Sequence, residues 1–164
     1  MKRKVMIFIL LTITVLWLFF IFSNSADSGA ESSSKSKAVQ EIINRVIGYF
    51  GIEGSVTEHF VRKSAHFIEF AILGVLITLD MLVLNWIPFP ISDFRQLPRF
   101  LVPFIISFIT AATDETLQNF SENRGPSFKD VLIDSSGALT GILLLILLLL
   151  IISQKKKDSK SELT

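Results

Sequence analysis

The residues of this chain that can do chemistry sit in or beside long apolar stretches, where ionisable groups are costly. Taken as a helix at the usual period, His59, Arg62, Lys63, His66 and Glu69 project within one sector about 120° wide. Ser107, Thr110, Asp114 and Gln118 share a second stripe, with Glu115 at its edge. Asp130 and Asp134 open a third, which continues as Gly137 and Gly141. An imidazole among carboxylates is equipment for acid–base catalysis. His66 would move the proton, Glu69 or Asp114 would orient it, and Asp130 or Asp134 would serve as the second carboxylate. The same set can instead bind a ligand. Arg62, Lys63 and Arg124 would grip phosphate or carboxylate, while Glu69, Asp114, Glu115, Gln118, Asp130 and Asp134 hold those cations or meet hydroxyl and amine groups.

A plainer role is glue, since polar pairs join helices that lipid gives no hydrophobic reason to associate. For any one residue glue serves as well as ligand contact. For the whole set it is the poorer account, because fewer charges would suffice. Gly137 and Gly141 form a small-xxx-small face, and with Gly74 they are expected to let helices approach closely.

Several chemistries are excluded. Without cysteine there is neither a disulfide framework nor a thiolate metal site. His66-x-x-Glu69 offers two metal ligands to one face, but no zinc spacing such as H-E-x-x-H occurs, so no metal and no other cofactor is expected. Phosphate loops, nucleotide fingerprints and a Ser-His-Asp order are missing, and no nucleic-acid partner is expected.

The elements that must position these groups are membrane helices. Of the 164 residues 50% are hydrophobic, and they come in blocks. A helix needs about 20 apolar residues to cross a hydrocarbon core of roughly 30 Å. Four blocks qualify, at about residues 5–22, 64–84, 100–119 and 131–152, with a long connection over 23–63. The expected fold is an all-α integral membrane bundle in one domain, 1–164, with the lipid bilayer as its main partner. The first block also has the basic lead of a secretory signal peptide, but it is longer than a usual apolar core of that kind and Asn24-Ser25-Ala26 is a poor cleavage site. An uncleaved anchor is the preferred reading.

Lys2-Arg3-Lys4, Arg95 with Arg99, and Lys155-Lys156-Lys157 with Lys160 flank spans that place all three clusters on one side, expected to be the cytoplasm. At 1.5 Å per residue Asp114 lies about 22 Å above Arg99, Glu69 about 24 Å above Asn85 and Asp134 roughly 31 Å above Lys155. All three then fall near the outer leaflet, Asp134 at the outer boundary and Glu69 and Asp114 inside the hydrocarbon, where a bare charge costs at least ~2.5–3.5 kcal/mol. A shared polar pocket is implied there. Asp80 lies far below it and reads as an isolated acid near the inner interface, and His59 as a residue in water above the membrane.

The connections carry their own signals. Ser23 to Ser36 is Ser-rich and reads as a flexible or surface-lying lead-in. Val39, Ile42, Ile43, Val46, Ile47 and Phe50 recur at helical spacing, predicting an amphipathic helix in the outer interface or, alternatively, over the bundle mouth. Ser55-Val56-Thr57-Glu58 has the form of a capping box before the second span. Pro88, Pro90 and Pro98 predict a non-helical second connection with Trp86 at the interface, and Ser127 is a candidate cap for the last helix.

The run Arg62-Lys63-Ser64-Ala65-His66-Phe67-Ile68-Glu69-Phe70-Ala71-Ile72-Leu73-Gly74 resembles the hallmark of the VanZ-like family. Asp114-Glu115-x-x-Gln118, then Arg124, Asp130, Asp134, Gly137 and Gly141, is similar to that family's second hallmark, and Phe22-Ser23 to its opening motif. The chain departs from the pattern just afterwards, where Asn24-Ser25-Ala26-Asp27 replaces the Gln and Pro-Gly often found, and no role is carried onto that loop. The resemblance implies a small integral membrane protein of the bacterial cell envelope, whose founding relative confers low-level resistance to the glycopeptide teicoplanin. It implies no defined reaction. Three functions are therefore carried forward: binding of a polar or amphiphilic envelope ligand at the outer leaflet, intramembrane catalysis on a lipid-linked or cell-wall substrate, and proton-coupled transport. Transport ranks last, because only Asp80 extends the polar stripe downward.

Overall fold

The computed structural model describes residues 2–89, 94–118 and 127–161. Its helices are α1 (Lys2–Ala26), α2 (Gly29–Tyr49), α3 (Glu58–Val83), α4 (Leu101–Gln118) and α5 (Phe128–Ser161), with a 3-10 turn over Phe94–Phe100 leading into α4. No strand occurs among the described residues. Four helices are long and apolar enough to cross a membrane: α1, α3, α4 with its lead-in, and α5. Their outer surfaces are greasy, with Phe8, Phe19 and Leu144 each more than 60% exposed. In water such a surface would aggregate, and in a bilayer it is solvated by acyl chains. The protein is a multi-pass membrane protein.

Antiparallel α1 and α3 meet through Thr14 with Asp80 at one level and Asn24 with Glu69 at the other. Parallel α3 and α5 approach most closely. A Cβ added at Gly74 would lie 2.5 Å from the Ala138 carbonyl oxygen. Cβ atoms at Gly137 and Gly141 would collide with the carbonyls of Phe67 and Ala71. Backbone therefore rests on backbone along this seam, which only glycine permits. Beside it, Phe70, Leu73, Ile77, Ala111 and Ala138 close an apolar core with Ile21 of α1.

Helix ends follow local chemistry. Asn85 adopts a left-handed φ of 62° after α3. The N–H groups of Trp86 and Asn85 then bond the carbonyls of Met81 and Leu82, a Schellman closure. The Arg3 guanidinium donates to the Val83 carbonyl at 3.0 Å, and Arg99 to the Trp86 carbonyl at 2.9 Å. The basic start of α1 and the basic lead into α4 thus lie at one end of the bundle, where cations suit a helix C-terminus.

Four expectations need correction. The Ser-rich stretch is helical: α1 runs on to Ala26, and Ser28 with Glu31 forms a full capping box that opens α2. Serine's weak helix preference yields here to capping and tertiary hydrogen bonds. The cap of α3 is Thr57, whose hydroxyl accepts from the Phe60 N–H, rather than Ser55. Pro98 sits inside the 3-10 turn, so the second connection is partly helical, while Pro90 lies outside the described residues. Asp80 is not isolated, being 6% exposed and accepting a 2.7 Å hydrogen bond from Thr14. The amphipathic segment is α2, which lies against the start of α3, held by Gln40 and Asn44 donating to the Val56 carbonyl while the Val56 N–H returns a 2.8 Å bond to Asn44.

Candidate functional site

At the end of the bundle where α3 and α5 begin, the polar residues divide into a buried core and a cleft. Asp114 of α4 anchors the core. It is fully buried, and its Oδ2 accepts from the Ser25 hydroxyl at 2.8 Å and from the Gln118 amide at 2.9 Å. One turn along α4 satisfies the Gln118 contact, whereas Ser25 arrives from α1. Glu115, 4% exposed, accepts a short hydrogen bond from the Ser127 N–H and so clasps the first turn of α5. Ser127 itself immediately precedes α5, and its carbonyl begins that helix's ladder.

Facing them from α5, Asp134 is 2% exposed. Ligand atoms of His66, Asp114 and Asp134 all lie within 4.8 Å of one another, so three helices converge on one point. Above it Lys63 and Asp130 form an ion pair between α3 and α5, with side chains 18% and 20% exposed. That pair joins α3 to α5 near the mouth of the site.

The cleft lies between α2 and α3 and has a volume of about 370 Å³. Val39 and Ile43 of α2 and Phe60, Val61, Ala65 and Ile68 of α3 give it a mainly apolar wall. Arg62, His66 and Glu69 join that wall from α3, with Lys35 and Asn24. Glu69 is fixed twice: its Oε1 accepts from Asn24 at 3.1 Å, and its carbonyl accepts from the Trp17 indole at 3.0 Å. Lys35 pairs with Asp27 at 2.6 Å. Arg62 is half-buried and has no ion-pair partner among the described residues. A hollow of about 510 Å³ at the other end, beside Trp86 and Arg99, touches none of the candidate residues.

A profile of the VanZ/LLP1 family matches residues 8–150, most of the chain. The chain belongs to the VanZ/LLP1 family. No curated protein and no solved structure matches it.

Within this VanZ/LLP1 protein the structure brings together His66, Glu69, Asp114, Glu115, Gln118, Asp130 and Asp134, with Lys63 bound to Asp130 and Arg62 turned to the cleft. Arg124 lies outside the described residues, and His59 is exposed at the start of α3. Residues of α1 were missed. Asn24 and Ser25 hold Glu69 and Asp114, so the segment where the chain departs from the family pattern is part of the site. A signal existed for Ser25: it shares one helical stripe with Thr14 and Ile21, the other buried residues of α1.

Proposed function

We propose that this protein binds the polar head of an anionic amphiphile at the outer leaflet, in the cleft between α2 and α3. The observation that carries this reading is a largely apolar cleft whose arginine, Arg62, lacks an ion-pair partner among the described residues. Its volume of about 370 Å³ falls in the range of small-molecule sites, and its mix of apolar wall and few polar groups suits an acyl chain with a charged head. Guanidinium binds phosphate and carboxylate with paired hydrogen bonds. Exposed Ile42 and Val46 on α2, with Phe50 just after it, suit a helix lying in the lipid interface. The basic termini and Arg99 favour a cytoplasmic placement of the opposite end, leaving the cleft extracytoplasmic. Occupying envelope lipids or lipid-linked precursors there would limit the approach of lipid-anchored glycopeptides, which is how such binding would alter their effect.

The test is a titration of purified full-length protein with short-chain phosphatidylglycerol and phosphatidylcholine. The anionic lipid is expected to bind more tightly. Arg62→Ala should weaken it about 10- to 100-fold, the equivalent of a lost charge-assisted hydrogen bond worth ~1.5–3 kcal/mol. Equal affinity for both headgroups, or an unchanged Arg62→Ala protein, would refute the reading. Because the chain has no cysteine, Ser64→Cys gives a single label site, expected to react with a membrane-impermeant thiol reagent on intact cells.

A second reading, an enzyme acting on a lipid-linked or cell-wall substrate, is favoured by the convergence of His66, Asp114 and Asp134. His66 would carry the proton and Asp114 would orient it, with Asp134 the second carboxylate, since Asp130 is engaged by Lys63. The readings separate on His66→Gln: catalysis is lost with the protein folded, whereas ligand binding survives better than in Arg62→Ala.

A further inference from the structure

Each of three neighbouring membrane helices contributes one metal-competent side chain to a single point: His66 from α3, Asp114 from α4 and Asp134 from α5. Their ligand atoms lie within 4.8 Å of one another. A first-row divalent ion holds such atoms at roughly 2.0–2.2 Å from itself, so two ligands of one ion can lie up to about 4 Å apart, near the spacing found here.

A second observation is independent of that spacing. Asp134 is 2% exposed, yet it makes no hydrogen bond or ion pair with any described residue. The nearby ammonium of Lys63 is engaged by Asp130. Glu115 adds another buried carboxylate, whose Oε2 has no hydrogen-bond partner among the described residues. Buried carboxylates are held in place by hydrogen bonds, by cations or by metals. Around Asp134 no described residue supplies a hydrogen bond and the one nearby ammonium is taken by Asp130, while an oxygen of Asp134 lies within 4.8 Å of an imidazole nitrogen and of a second carboxylate oxygen.

We propose that His66, Asp114 and Asp134 form a binding site for a divalent transition-metal ion of the Zn²⁺ or Mn²⁺ type. One nitrogen and two oxygens match the borderline-to-hard donor sets these ions accept, and three protein ligands leave a position for water or a ligand oxygen. His66 also lines the cleft, so the ion lies beside the wall where an anionic head would rest. The metal site does not depend on the cleft's occupant.

Metal-stripped, full-length protein in detergent is dialysed against Zn²⁺ or Mn²⁺ alone, and retained metal is measured by mass spectrometry and calorimetry. One equivalent is expected, with affinity reduced at least about tenfold in Asp134→Asn and in His66→Gln, and unchanged in His59→Gln. No retained metal, or equal retention by Asp134→Asn, overturns the proposal. Should those variants fail to fold, the wild-type protein loaded with Mn²⁺ decides it. Electron spin-echo spectroscopy is expected to show coupling to imidazole nitrogen that persists in His59→Gln, the chain's other histidine. Absence of that coupling also overturns the site. Loss of the metal reading would leave the Arg62 lipid titration untouched, and the reverse holds equally.

Discussion

Ser25, the penultimate residue of α1, donates a 2.8 Å hydrogen bond to the fully buried carboxylate of Asp114 on α4. This bond makes the first helix part of the polar core rather than a detached anchor. Removing a donor from a buried carboxylate costs the desolvation its bond had offset. Ser25→Ala is expected to destabilise the folded protein by about 1–3 kcal/mol, read as a lower thermal unfolding midpoint in detergent. An unchanged midpoint would show that Ser25 contributes nothing to holding Asp114.

Gly137 and Gly48 make opposite predictions for the same substitution. A methyl group at Gly137 meets the Phe67 carbonyl of α3, and backbone cannot step aside as a side chain can. Gly137→Ala should therefore force α3 and α5 apart, at a cost of about 1–3 kcal/mol. Gly48 in α2 has open space around it, and alanine there should be neutral or stabilise by roughly 0.5–1 kcal/mol through helix propensity. Thermal unfolding of the two variants side by side checks both signs.

The Lys63–Asp130 pair is expected to show direct coupling. Its side chains are only 18% and 20% exposed, so solvent screens it less than a surface pair. A double-mutant cycle with Lys63→Met and Asp130→Asn should return an interaction of roughly 0.5–3 kcal/mol. Strict additivity would mean the contact is incidental.

Thr14 and Asp80 form a second buried polar contact, deep between α1 and α3. Thr14→Val keeps the shape and removes the hydroxyl that donates to that carboxylate's Oδ2. The expected loss is about 1–3 kcal/mol. Thr14→Ser should recover most of it, which separates the hydrogen bond from packing.

Much of this was legible in the sequence because it depends on local spacing. Long apolar blocks marked the four spans, helical period put His66 and Glu69 on one face, and Gly137 with Gly141 marked the seam. The Ser-rich segment was misread because composition favours disorder, whereas Ser28–Glu31 capping and the buried contact of Ser25 favour helix.

The amino-acid sequence by itself determined that four long apolar helices form and which side of the last three is polar, since these follow from residue type at a period of 3.6. Only the tertiary structure decided which polar sides touch: that His66 meets Asp114 and Asp134, that Lys63 is taken by Asp130 while Arg62 is turned to the cleft, and that Asn24 and Ser25 reach across to Glu69 and Asp114. Those pairings depend on helix crossing and axial register. Both are set where glycine lets the α3 and α5 backbones meet, by contacts between residues far apart in the chain.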